Sequence, residues 1–168
     1  YDPQLWQQMA EMGWASIILP ETYGGLDFGF LGLGVVLEES GRTLTASPLF
    51  ASAVVGASAV LLGGSEALKQ SLLPDIAGGK LTLALALEET HHHNPTYIST
   101  TAKVQGENFI LNGSKCFVLD GHSADKLIVV ARTGGTERSS AGLTLLLVDR
   151  NTSGVSCRRT FIADSRNA

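Results

Sequence analysis

The side chains best suited to chemistry crowd into one stretch, Glu88-Glu89-Thr90 followed by His91-His92-His93. Adjacent carboxylates are candidates for proton transfer, and imidazole titrates close to neutrality. A carboxylate pair is far more often an ordinary structural or solvated feature, and Glu88 and Glu89 are read as such. Three imidazoles in a row could ligate a metal, but consecutive spacing points the rings apart and supplies no fourth ligand, so no metal is expected. The two cysteines, Cys116 and Cys157, stand in apolar, strand-like surroundings. They read as buried, reduced thiols rather than as a disulfide or a reactive nucleophile.

These residues must be positioned by the elements around them, and the hydrophobic period changes near residue 80. Before that point it is helical. Asp2-Pro3 is a helix start, with Leu5, Met9 and Met12 recurring at helical spacing. An apolar run over 14–19 ends at Pro20, and Tyr23-Gly24-Gly25 reads as a turn. A second helix is expected over 31–40, with Leu33, Val36 and Leu37 inward. A third starts at Ser47-Pro48 and stops at Gly63-Gly64, its alanines permitting close approach. A fourth starts at Ser65, and Pro74 is expected to end it. After Gly78-Gly79 the period becomes two: Leu81, Leu83, Leu85 and Leu87 alternate with Thr82, Ala84, Ala86 and Glu88. The small-residue face leaves room for a neighbouring group, although close packing against a helix would explain it equally. Further strands are expected over 100–105, 109–111, 115–119, 126–132 and 143–149. Gly106-Glu107-Asn108 and Asn112-Gly113 read as hairpin turns, and 133–141 as a polar loop. The fold class is α+β: an N-terminal α-helical domain over 1–79 followed by an antiparallel β-barrel or sandwich domain over 80–168.

Composition narrows the function class. The chain has 168 residues, 44% of them hydrophobic, which suffices for one domain or two small ones. A net charge of −4 without a basic block argues against nucleic acid and points to a small molecule or another subunit as partner. The longest apolar stretch, 50–62, is too short and too rich in Ala, Ser and Gly for a membrane span. No signal peptide is legible, and a reducing, cytoplasmic location is the expectation.

Several blocks, in order, carry a family resemblance. Gly13-Trp14 and Leu19-Pro20-Glu21-Thr22-Tyr23-Gly24-Gly25 are followed by Leu37-Glu38-Glu39-Ser40-Gly41-Arg42. Next come Gly63-Gly64-Ser65-Glu66-Ala67-Leu68-Lys69 and Leu73-Pro74-Asp75-Ile76-Ala77-Gly78-Gly79. Then follow Thr100-Thr101-Ala102, Leu111-Asn112-Gly113-Ser114-Lys115, Ala124-Asp125 and Val130-Ala131-Arg132-Thr133. Each block alone is weak. Together they resemble the acyl-CoA dehydrogenases, flavoenzymes with an N-terminal helical domain, a middle β domain and a C-terminal four-helix domain that this chain lacks. Within that family the chain is similar to a divergent bacterial branch, the small subunits of pimeloyl-CoA-type dehydrogenases.

The resemblance implies FAD as cofactor, lying between the β domain and the helices, and an acyl-CoA thioester as substrate, oxidised at Cα–Cβ. The family's catalytic base is a glutamate of the C-terminal domain, so no residue here is expected to be that base, and the fragment alone is expected to be inactive. The flavin-contacting strand matches Leu85-Ala86-Leu87-Glu88-Glu89, giving Leu85, Leu87 and Glu88 as cofactor contacts. The second contact matches Phe117-Val118-Leu119. At Leu87 and Leu119 the family carries hydroxyls that this sequence lacks, while Phe117 can still cover a flavin face. The histidine loop replaces a loop that approaches the flavin phosphates and the thioester, and its substrate-contacting serine falls on His93. The imidazoles there would assist a phosphate or simply form a polar loop. The tail, 158–168, should enter further β strands. Expected partners are an electron-transfer flavoprotein as electron acceptor and other subunits in a homo- or hetero-oligomer, dimer or tetramer. Two other readings stand beside the dehydrogenase: a non-catalytic structural subunit of a heteromeric enzyme, and a related flavin oxidase or monooxygenase.

Overall fold

The computed structural model describes residues 1–160. The tail that was expected to enter further strands lies outside the described residues from 161 onward, and 158–160 belong to no strand. The chain forms two compact units, Tyr1–Leu83 and Ala84–Ala168.

The first unit is helical. Helix α1 spans Pro3–Glu11; the Asp2 carboxylate accepts from the Gln4 and Leu5 amides, and Pro3 occupies the first helical position, where its missing N–H costs nothing. Its buried face is Trp6, Met9 and Ala10, not the Leu5–Met9–Met12 stripe expected from the sequence. Trp6 takes the inward position one residue along because its indole N–H donates to the Gly79 carbonyl at 2.9 Å. Gly79 adopts φ +68°, and a Cβ there would meet Ala10, so this position needs glycine twice over.

Two short 3-10 turns, Trp14–Ser16 and Glu21–Tyr23, frame the Pro-Glu-Thr-Tyr-Gly-Gly segment. Backbone bonds from Gly25 to Pro20, Leu26 to Ser16, Asp27 to Leu19 and Phe28 to Ile17 close it into a compact loop. Helix α2 covers Gly29–Arg42 and buries Leu33, with Val36 and Leu37 packed alongside. The third helical segment begins as a π-helix over Leu49–Gly56 and continues as α3, Ala57–Gly63. Its small residues bring it close to the chain at Leu83: Ser52 Oγ accepts the Leu83 amide at 3.0 Å, and a Cβ on Gly56 would collide with Leu83. Helix α4 runs over Glu66–Ala77 with Ser65 as cap. Pro74 does not end it. The helix continues one turn because Leu73, Ile76 and Ala77 are buried, and the Gly78 amide closes onto the Pro74 carbonyl. That burial outweighs the one hydrogen bond a proline removes.

The second unit is built on strands β1 (Leu83–Ala86), β2 (Thr101–Gln105), β3 (Asn108–Asn112), β4 (Lys126–Arg132) and β5 (Leu143–Asp149). Strand β4 pairs antiparallel with β5 over its whole length and also meets β1 and β2. The β2–β3 hairpin turns at Gly106-Glu107, with Gln105 opposite Asn108. The expected antiparallel sheet is not antiparallel throughout. β2 meets β4 in parallel through Thr101 and Arg132, so the sheet is mixed. Both faces of the Leu83–Ala86 strand are largely buried, and Ala84 packs with Ala124 and Leu127.

Three expectations fail here. Asn112-Gly113 is not a hairpin turn, because 115–119 is not a strand. Phe117 and Asp120 adopt φ +51° and +56°, values no extended strand can contain. Gly113 lies so close to Thr100 that a side chain there would clash, which accounts for glycine without a turn. Cys157 is exposed rather than buried; both thiols are free.

Candidate functional site

Beyond Ala86 the chain leaves the strand and runs irregularly through 87–94 beside an equally irregular segment, 115–119. Five contacts join the two. The Cys116 amide donates to the Glu88 carbonyl at 2.8 Å, and Cys116 Sγ approaches the Thr90 carbonyl at 3.3 Å. Lys115 Nζ donates to the Leu87 carbonyl at 3.1 Å and to Glu89 Oε1 at 2.7 Å. The rings of His91 and Phe117 meet edge to face at 6.1 Å. Of the residues assigned by resemblance, Leu87, Glu88 and Phe117 are therefore brought to one place, and His93 joins them through Glu88. Leu85 lies half-buried within the strand that leads in. Val118 packs on the Ala84–Ala124–Leu127 cluster. Leu119 follows at the start of a turn.

Phe117 and Leu119 are exposed, at 46% and 40%. A bulky residue in left-handed backbone costs on the order of 1–3 kcal/mol and persists only where its surroundings hold it. Here the Cys116 amide bond holds it on one side, and on the other the anchored Val118, whose carbonyl receives the Gly121 amide. The result is an aromatic ring and a leucine presented outward from a fixed backbone.

The two glutamates are used differently. Glu88 Oε1 lies 2.5 Å from His93 Nδ1, and Oε2 accepts the Asn94 amide at 3.2 Å. A carboxylate only accepts, so Nδ1 carries the proton and Nε2 is left for an outside partner. Glu89 turns inward. Its side chain is 4% exposed and that of Lys115 8%. The Ser99 amide and hydroxyl both donate to Oε2, and the Thr100 amide donates to Oε1. Burial opposes the charge on Glu89, but Lys115, Ser99 and Thr100 outweigh it and hold the carboxyl at about 2. Burial likewise pulls the Lys115 ammonium down, with Glu89 resisting. Burial and the neighbouring carboxylates push the Cys116 thiol up, so it is a poor nucleophile. Among the described residues no three His, Cys, Asp or Glu side chains converge to hold a metal ion.

Arg132 organises the adjoining stretch 96–98, and the sequence marked it only as part of a family landmark. It is 7% exposed, and among the described residues it has no carboxylate partner. Nε donates to Ile98, Nη1 to Gly134 and Ala141, and Nη2 to Thr96, Glu137 and Ser139, all at backbone carbonyls. One guanidinium thus folds the polar loop 133–141 against residues 96–98. The signal for it was a charge ending an apolar run and followed by a glycine-rich loop.

An isoalloxazine needs apolar and aromatic cover and hydrogen-bonding groups at its edge. Phe117 and Leu119 fit the first need. Leu87 and Leu119 offer no hydroxyl for the second, which falls to backbone groups.

Comparison with known proteins shows the family. The profile for the acyl-CoA dehydrogenase N-terminal domain matches residues 1–80, and that for the acyl-CoA dehydrogenase middle domain matches 84–165. The chain is 34% identical, over 87% of its length, to cyclohex-1-ene-1-carbonyl-CoA dehydrogenase of Geobacter metallireducens and covers 39% of that protein. A solved FAD-dependent dehydrogenase superposes with a TM-score of 0.83 at 31% identity, over 95% of this chain and 44% of that one. The ChsE4–ChsE5 complex of Mycobacterium tuberculosis gives 0.84 at 28% identity, over 99% and 43%. The chain therefore spans about two fifths of the length of its relatives. With both domain profiles matched in order across two units of the same architecture, the chain belongs to the acyl-CoA dehydrogenase family.

Proposed function

We propose that this chain supplies part of the flavin and acyl-CoA site of an FAD-dependent dehydrogenase that oxidises an acyl-CoA thioester at Cα–Cβ. The observation that carries the reading is the joining of 87–90 to 115–117, which gathers Leu87, Glu88, Phe117 and, through Glu88, His93. FAD, when bound, supplies the acceptor for the substrate's β hydrogen as hydride. The residues of this chain bind and orient. Phe117 offers an aromatic face and Leu119 apolar cover, both on a backbone anchored through Val118. Glu88 fixes the ring of His93; as an imidazolium, with protons on both nitrogens, that ring would donate from Nε2 to a thioester or phosphate oxygen. Glu88 is engaged by His93 and Asn94, and Glu89 is buried and ion-paired, so neither is a free base for the α proton. That role belongs to a residue beyond this chain. An electron-transfer flavoprotein is the proposed electron acceptor, and the working assembly is an oligomer.

The second reading, a non-catalytic subunit of a heteromeric dehydrogenase, is favoured by Leu87 and Leu119, which cannot make the family's side-chain bonds to flavin. A structural neighbour, the ChsE4–ChsE5 complex, is an assembly of two different chains. Anaerobic addition of an acyl-CoA to the purified, FAD-loaded protein separates the readings. Bleaching of the flavin absorbance is expected for the dehydrogenase. A protein that takes up no FAD alone and gains activity only with a partner subunit would favour the second reading. Turnover with oxygen consumption would point to an oxidase or monooxygenase.

A further inference from the structure

Two buried charges grip one short peptide from opposite sides. Arg132 binds the carbonyls of Thr96 and Ile98, and Glu89 binds the amides of Ser99 and Thr100. From this fixed base Glu89 reaches Lys115, and Lys115 reaches back to the Leu87 carbonyl. Lys115 thus crosses between the two irregular segments that hold every exposed residue of the candidate site. Neither segment has a strand ladder of its own to set its register.

We propose that the Glu89–Lys115 ion pair is a positioning device for the flavin-facing edge, fixing 87–90 against 115–119 so that Phe117 and Leu119 present one continuous surface. The proposal rests on the flavin reading above. Glu89 and Lys115 touch no cofactor. They act through the backbone at Leu87 and through the left-handed residue two places beyond Lys115. The pair has a structural consequence of its own, since a buried partnered charge is costly to orphan. The two roles come apart when Lys115 is removed: Glu89 then keeps three hydrogen bonds from Ser99 and Thr100. The carboxylate stays satisfied, but both Lys115 side-chain links between the segments are lost, leaving only the Cys116 bonds and the His91–Phe117 contact to join them.

The test uses the intact protein with Lys115→Met and Lys115→Arg, titrated with FAD well below the melting temperature. Visible circular dichroism of the bound flavin is recorded as well. Lys115→Met is expected to weaken FAD binding about tenfold or more and to alter the flavin dichroism, and Lys115→Arg to restore both. If Lys115→Met does not fold, Lys115→Gln keeps one donor for the Leu87 carbonyl and is judged by the same two readouts. A variant that melts earlier yet binds FAD with unchanged affinity and unchanged dichroism would overturn the proposal. A wild-type protein that binds no FAD would overturn the flavin reading and the proposal with it, which is distinct from wild-type binding that the variants leave untouched.

Discussion

In the helical unit the residues with no access to solvent are apolar or small: Met9, Ala15, Leu19, Ser52, Ala57, Leu73 and Ile76. No charged side chain is buried there. In the sheet unit the interior contains Arg132 and the Glu89–Lys115 pair, and each charge holds loops rather than strands. The first unit coheres by area and close fit, and its ionisable groups, such as Glu66 with Tyr23 and Gln70, bond at the surface rather than in the core. The second owes its irregular, site-bearing segments to charges that must stay ionised and partnered. The family's chemistry needs loops of fixed shape, and strand ladders cannot supply them; buried ions with many backbone partners can.

The strongest way to break this contrast is Arg132→Met. It removes a donor from six carbonyls, of which Glu137 keeps another, the Ile98 amide, and is expected to destabilise the sheet unit by roughly 3–5 kcal/mol. Hydrogen exchange would show the loss at 94–100 and 133–142 while the helical unit keeps its protection. Equal loss in both units would contradict the contrast.

Acid should act on the same side. The folded pKa of Glu89, about 2, lies below its ordinary 4.5. The stabilisation is therefore fully present above pH 4.5 and is lost as pH falls toward 2, and the shift corresponds to roughly 3 kcal/mol. A pH series of thermal melts with Glu89→Gln as reference checks this. The wild-type advantage should shrink over that window and not above it.

The converse probe belongs to the helical unit. Ala57→Leu adds bulk at a fully buried site and should cost about 1–3 kcal/mol, at pH 7 and pH 4 alike. The smallest effect is expected from Asp2→Ala, which removes the α1 cap and should cost about 1 kcal/mol by denaturant titration.

What the sequence made legible follows the same division. Helices and ladders obey period and capping. Asp2-Pro3, Ser65 and the Gly106 turn therefore stand where expected, and β4 and β5 match their apolar runs. Pro74 misled because local propensity carries no knowledge of the burial of Ile76 and Ala77. Residues 115–119 misled for a related reason. Their pattern suits a strand, but the partners of Lys115 and Cys116 lie some 26–28 residues away in a loop, and the sign of φ at Phe117 is not written in side-chain type. The site positions came from family word order. Composition alone would have left Phe117 an ordinary strand residue and Glu89 one of two equivalent carboxylates.

The central claim is that the 87–90 and 115–119 surface receives a flavin. Its most direct test is FAD retention, by visible spectrum after gel filtration, of the intact wild-type protein against Phe117→Ala. The account predicts a yellow wild type and a variant that loses most of its flavin while its fold, by far-ultraviolet dichroism, is unchanged. A colourless wild type that takes up no added FAD, or a Phe117→Ala variant that stays equally yellow, would contradict it.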